Sequence, residues 1–184
     1  MRYLLALVMI AALPACDVPW AGPGVPGGAQ ALDIVQLDYR GPIGIDFGPD
    51  IAASPSLTGL RQQVISKAMG HRPASDSVCT PDNSRPDPCW TQQPDVAGRL
   101  YVAVVTTPEC NRAVKESAAL GGHTLYFLHW IGKPDRVCNM AMARPSWRLF
   151  YVARKDLPAS GTLTVRLQYQ GEEQTYVETK ADLT

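Results

Sequence analysis

Residues 162–170 read TLTVRLQYQ, and this stretch decides the fold class. Polar residues fill every second position, and the positions between them hold Leu163, Val165, Leu167 and Tyr169. Successive side chains of a β-strand point to opposite faces, so this period of two predicts a strand with one buried face and one solvent-exposed face. The sequence QGEEQ at residues 170–174 is a turn signal, which predicts that residues 175–179 return as a hairpin partner.

Three other stretches have the composition of buried strands. Residues 100–107 (LYVAVVTT) and 124–131 (TLYFLHWI) are rich in β-branched and aromatic residues. Residues 147–152 are largely apolar at both alternating sets of positions, which predicts a central strand. Near residue 33 the alternation changes phase, because Leu32 and Ile34 share one parity and Val35 the other. This change predicts a β-bulge.

One stretch has clear helical spacing. Ser54 is a typical N-cap residue, Pro55 suits the first helical position, and Gly70 is a typical terminator. The apolar residues between them are Leu57, Leu60, Val64, Ile65 and Met69. Residues 111–120 (NRAVKESAAL), followed by Gly121, predict a second, short helix.

Many strands with one clear inserted helix predict an all-β fold. We expect residues 31–184 to form a single β-rich domain, an antiparallel β-sandwich that is immunoglobulin-like in the broad sense. An α+β fold with the helix packed on one face of a sheet is the alternative.

The N-terminus predicts export. Arg2 precedes an unbroken apolar run over residues 3–13, and the small-residue site Pro14-Ala15 follows. The run is shorter than the roughly 20 residues of a membrane-spanning helix, so residues 1–15 are typical of a secretory signal peptide. One alternative for this segment is ordinary cleavage after Ala15, which leaves Cys16 with a free thiol.

Leu13-Pro14-Ala15-Cys16 resembles the lipobox of bacterial lipoproteins. In that family the cysteine after the cleavage site is acylated, so the resemblance implies lipidation of Cys16 and attachment to the bacterial membrane, facing the periplasm or the cell exterior. Glycine and proline dominate residues 18–30, which predicts a flexible tether. Residues 16–30 thus comprise the lipidated cysteine and a tether that reaches about 20 Å.

Four cysteines remain beside Cys16, an even number, which in an oxidising compartment predicts two disulfides. Three pairings are possible. We favour Cys79–Cys89 and Cys110–Cys138, because each pair flanks one segment. A zinc site is the alternative, but the C-x2-C spacing of such sites is missing.

Charge and motifs argue against several functions. The chain has 17 basic and 17 acidic residues and no basic tract, so we expect no nucleic-acid partner. The sequence lacks G-x-S-x-G and H-E-x-x-H, and we expect neither an enzyme nor a bound cofactor. A hydrolase with a dispersed Ser-His-Asp triad stays the less favoured alternative, and His123 and His129 lie too far apart along one strand to share a metal.

Two stretches offer binding hypotheses. Met140 and Met142 would lie on one strand face, and soft sulfur ligands select Cu(I), so a copper or small-ligand module is one alternative. Trp90 follows Cys89 in a proline-rich loop, and a tryptophan held by a disulfide is a suitable contact for a partner. The leading hypothesis is a lipid-anchored envelope protein with a non-enzymatic, protein-binding domain.

Overall fold

The computed structural model describes residues 25–37, 49–69, 93–105, 114–131, 147–170 and 174–184 of the 184-residue chain. Within these ranges the elements are, in chain order, β1 (Gln30–Leu32), β2 (Ile34–Leu37), β3 (Asp50–Ser54), α1 (Leu57–Met69), β4 (Arg99–Val105), β5 (Val114–Gly121), β6 (Thr124–Ile131), β7 (Arg148–Ala153), β8 (Thr162–Gln170) and β9 (Gln174–Asp182). A single 3-10 turn, Arg154–Asp156, follows β7.

The strands form two sheets. One has five strands in the order β1-β5-β6-β8-β9, and the other has four in the order β2-β7-β4-β3. Among the described strands, six pairings are antiparallel and one, between β6 and β8, is parallel. The predicted β-sandwich with one helix is therefore confirmed. The parallel pairing arises because the chain crosses to the other sheet as β7 before it returns as β8.

Strands β8 and β9 form the predicted hairpin. Thr162 pairs with Asp182 at one end of the ladder, and Gln170 pairs with Gln174 next to the turn. On one face of β8 the side chains are fully buried, namely Leu163, Val165 and Leu167. The alternating pattern of residues 162–170 thus corresponds to one face in the core.

The main core lies between the two sheets. The four-stranded sheet contributes Leu100, Val102 and Val104, all with no exposed surface. Phe150 from the same sheet meets Phe127 from the five-stranded sheet, with ring centroids 5.0 Å apart and planes tilted by 57°. Each such side chain contributes about 1.5–3 kcal/mol by leaving water, so this interior is the main source of stability.

Helix α1 packs on the outer face of the four-stranded sheet. Leu57, Leu60 and Val64 are buried there in one cluster with Tyr101 and Trp147. Both faces of β4 are therefore covered, which explains why its sequence is apolar without alternation. The sandwich and the helix-on-sheet arrangement, which the sequence analysis treats as alternatives, occur together as three layers.

The start of α1 lies two residues beyond the predicted cap. Ser54 is the last residue of β3, and the capping side chain is that of Ser56, whose Oγ accepts the Gly59 N–H at 3.0 Å. The Leu57 N–H donates to a carboxylate oxygen of Asp95. A Cβ at position 59 would collide with the Ser54 Oγ, so a larger residue there would require the Ser54 side chain to move.

The phase change near residue 33 is a crossing between sheets. Leu32 in β1 pairs with Ala118 of the five-stranded sheet, whereas Ile34 in β2 pairs with Val152 of the four-stranded sheet. Asp33 between them is exposed. The predicted bulge is therefore wrong, because the chain changes its pairing partner and not its register within one ladder.

The second predicted helix is wrong where the structure describes it. Residues 114–121 form β5, which pairs with all of β6, from Val114 opposite Ile131 to Gly121 opposite Thr124. Helix propensities differ by only tenths of a kcal/mol per residue, so pairing on both sides with β1 and β6 outweighs them.

Candidate functional site

The residues that the sequence analysis assigns to sites lie outside the described ranges. They are Cys16, Cys79, Cys89, Trp90, Cys110, Cys138, Met140 and Met142. The lipid anchor, the two disulfides, the partner-binding tryptophan and the copper ligands therefore stay predictions.

Two histidines lie in the described part, in contrasting places. His123 is exposed in the turn between β5 and β6. His129, within β6, has no exposed surface. In the described ranges no three His, Cys, Asp or Glu side chains come together in a group that could hold a metal ion.

His129 belongs to a buried polar cluster with Glu116 and Arg148, hereafter the polar cluster. Glu116 lies directly opposite His129 in the β5–β6 ladder, and its Oε1 is 3.1 Å from His129 Nδ1. Arg148, the first residue of β7, approaches from the other sheet with Nη2 2.7 Å from the same Oε1. The side chains of Glu116 and Arg148 are 9% and 27% exposed.

The proton on His129 decides which contacts are hydrogen bonds. Arg148 only donates and a carboxylate only accepts. With hydrogen on Nδ1, the ring donates to Glu116, and Arg148 donates to the same oxygen. Without it, Nδ1 accepts from Arg148 Nη2, which lies 3.1 Å away. The ion pair between Glu116 and Arg148 exists in both states, but only hydrogen on Nδ1 makes the 3.1 Å contact between His129 and Glu116 a hydrogen bond.

The polar cluster joins the two sheets at the margin of their common core. Glu116 shares the inward parity of Ala118, and His129 that of Phe127, so each lies two residues along from a core side chain. A ring with no exposed surface does not meet a solute while the sandwich stays closed. We therefore interpret the cluster as an electrostatic link between sheets.

The edges of the sheets differ in how they are protected. At the β3 edge, the Gln63 side chain of α1 pairs with the backbone of Ala53 in both directions. The Ala53 N–H donates to Gln63 Oε1 at 3.1 Å, and Gln63 Nε2 donates to the Ala53 carbonyl at 2.8 Å. Ile51 lies two residues before Ala53, so its N–H points out of the same edge, and it donates to Asp50 Oδ1 at 2.7 Å. Side chains thus occupy the sites where another strand would add.

The β9 edge is charged. The Leu183 N–H donates to the Gly161 carbonyl, so the backbone groups of Leu183 face the β8 side. Every second residue of β9 faces the same way, and the backbone groups of the residues between them point away from β8. Those outward positions hold the exposed residues Glu178, Lys180 and Asp182. The Thr184 backbone N–H and then its hydroxyl donate to Asp182 and lower its pKa, which favours the charged form of this side chain. Charged edges disfavour strand addition.

Strand β2 has one neighbour among the described strands, β7, and its outward groups can be identified. The Arg154 N–H donates to the Gly98 carbonyl at 2.8 Å, so the backbone N–H and C=O of Arg154 face β4. In an antiparallel ladder every second residue faces the same neighbour, so the backbone groups of Phe150, four residues earlier, face β4 as well. Phe150 stands opposite Gln36, whose N–H and C=O therefore point away from β7. Ile34 has the same phase as Gln36, so the outer edge presents two donors and two acceptors.

The side chains of β2 do not protect this edge. Its sequence is IVQL, without a charge or a proline, and the Val35 side chain is 43% exposed. Val35 stands beside Tyr151 in the ladder, and the Arg99 guanidinium lies 4.2 Å from the centre of the Tyr151 ring. Tyrosine and arginine are enriched among the residues that dominate binding. We call Ile34–Leu37 with Tyr151 and Arg99 the β2 edge.

Neither the polar cluster nor the β2 edge was identified from sequence. The sequence indicated only that His129 is too far from His123 to share a metal, and its partners come from another strand and from the other sheet. Val35 gave one weak signal, since it lies where the alternation changes phase. Gln63 gave no signal, because a glutamine in a helix is ordinarily a solvent-facing residue.

In the part of the chain that the structure describes, α1 has 13 residues, and no helix there combines the length and hydropathy of a membrane span. No known protein family, curated protein or solved structure matches this chain.

Proposed function

We propose that this protein is a lipid-anchored protein of the bacterial envelope whose β-sandwich binds another protein and performs no covalent chemistry. The observation that carries the proposal is the β2 edge: the strand itself has no charged residue, whereas, among the other described strands, β3 is capped by side chains and β9 carries exposed charges. Of the four edge strands in the described part, β3 is capped and β9 is charged, whereas β1 and β2 carry no charge. β2 is the longer of these two and exposes the apolar side chain of Val35, so its edge is suited to strand addition.

The N-terminal sequence supports the placement of this surface near a membrane. The lipobox resemblance ends at Cys16, and β1 begins at Gln30, so the sandwich would lie about 20 Å from the lipid at the end of a flexible tether. β2 follows β1 after Asp33 alone, so the β2 edge lies early in the described part of the chain, on the side to which the proposed anchor would attach. Its partner would therefore be another protein of the envelope.

In-cell photo-crosslinking tests this proposal. A photo-reactive amino acid at position 35, in the full chain with a C-terminal affinity tag, would be activated in intact cells and its adducts identified by mass spectrometry. Position 96 is the matched control, because Val96 is also an exposed valine (41%) but lies outside the β2 edge. We expect one dominant envelope-protein adduct at position 35 and none at position 96. Equal background at both positions would contradict the proposal.

A further inference from the structure

We infer that the protein bound at the β2 edge is a second copy of this chain, paired through β2 about a two-fold axis at Val35. The inference rests on the proposed function, because it names the partner of the same surface. It makes the two four-stranded sheets of a dimer into one continuous eight-stranded sheet.

The outward groups of β2 are self-complementary. Ile34 and Gln36 point outward on either side of Val35, so an antiparallel copy places Ile34 opposite Gln36 of its partner at both ends. Each such pair exchanges two backbone hydrogen bonds, which gives four across the interface. This register uses every outward donor and acceptor that β2 offers and needs no change in its pairing with β7.

The side chains agree with that register. Val35, the exposed apolar residue of the strand, stands opposite its own copy in a pair without hydrogen bonds, where the side chains come closest. β2 carries no charge, so no like charges meet across the axis. The neighbouring Asp33 is opposite Leu37 of the partner and not opposite its own copy.

The small size of the interface indicates where the dimer would form. A four-residue strand buries much less than the roughly 1,600 Å² of a standard stable interface. Tethering to one membrane raises the effective concentration of the copies, so weak pairing becomes populated there. A heterologous extended segment at the same edge is the competing occupant, and it lacks this symmetry argument.

Disulfide trapping in membranes tests the inference. Cα atoms across a non-hydrogen-bonded pair lie about 4.5 Å apart, within disulfide range, so Val35→Cys in the full chain should form a covalent dimer under mild oxidation. Unsubstituted protein and Val96→Cys are the controls for trapping through the native cysteines or by random collision. Dimer formation by Val35→Cys no greater than that of Val96→Cys overturns the inference.

Charge substitution provides a second test that does not depend on oxidation. Val35→Lys should reduce co-capture of two differently tagged copies about tenfold, since two cations meet at the axis. Co-expression of Val35→Lys with Val35→Glu should restore co-capture. Failure of both tests together with a foreign envelope adduct at position 35 leaves the proposed function standing and removes the second copy. Failure of both tests with no adduct removes both proposals.

Discussion

Glu116 and His129 lie opposite each other in neighbouring strands, with Oε1 3.1 Å from Nδ1, and Arg148 reaches the same carboxylate from the opposite sheet. An apolar core can tolerate small shifts of one sheet over the other, because dispersion contacts are not directional. A carboxylate shared between an imidazole and a guanidinium fixes both distance and angle. We therefore expect the polar cluster to favour one placement of the two sheets, beyond its contribution to stability.

We expect Glu116→Gln to lower the free energy of unfolding by about 2–3 kcal/mol, because the Arg148 cation then loses its counter-charge in a largely buried place. Urea denaturation measures the change. The matched control is Glu178→Gln, because the Glu178 side chain is 38% exposed against 9% for Glu116, so its ion pair with Arg166 should be worth less than about 1 kcal/mol. Equal losses for both variants would contradict the assigned role of the cluster.

The edge cap at β3 predicts a difference between two adjacent glutamines. Gln63→Ala removes both hydrogen bonds to Ala53 and should cost about 1–2 kcal/mol and increase aggregation on heating, since it exposes a strand edge. Gln62→Ala changes an exposed residue one position away on the helix and should have little effect. Thermal unfolding and light scattering of the pair distinguish them, and equal behaviour would refute the cap.

The predicted disulfides have a direct consequence for stability. We expect Cys110→Ala to cost about 2–5 kcal/mol, as removal of a native disulfide from an exported domain does. Reducing agent should lower the melting temperature of the unsubstituted protein. Peptide mapping under non-reducing conditions would report whether Cys79 pairs with Cys89 and Cys110 with Cys138. A melting temperature unchanged by reductant would show that these bonds do not support the fold.

The lipobox resemblance makes Cys16 separable from the fold. Cys16→Ser should abolish lipidation and release the protein from membranes, while the circular dichroism spectrum and melting temperature stay unchanged. Cys16 lies 14 residues before β1, so none of the described strands contains it. Cell fractionation with anti-tag detection measures the outcome. Retention of the variant in the membrane fraction would exclude a lipid anchor at this cysteine.

The elements best predicted from sequence are those whose burial pattern is local. β8 alternates because one of its faces lies in the core. β7 is central in its sheet, between β2 and β4, and is largely apolar on both faces because one face lies in the core between the sheets and the other lies under helix α1. The helix was predicted within about one turn because its apolar spacing is a property of the segment itself, although its cap is Ser56 and not the predicted Ser54.

What the sequence did not predict depends on contacts between distant segments. The change of sheet at Asp33 produces the same phase change as a bulge, and the two differ only in the partner strands. β5 has the residues of a helix and becomes a strand because β1 and β6 flank it. Glu116 and His129 are 13 residues apart, and their contact requires the register of a hairpin that local patterns do not specify.

Residue-resolved amide hydrogen exchange of β2 and β3 tests the central claim, that one sheet edge is open and the other is capped. In dilute protein without a partner we expect the Ile34 and Gln36 amides to exchange rapidly. Ala53, which donates to Gln63, should be protected. At high surface density on a membrane the Ile34 and Gln36 amides should become protected as well. Strong protection of both amides at every dilution would mean that the β2 edge is already covered within the monomer, and would contradict the account.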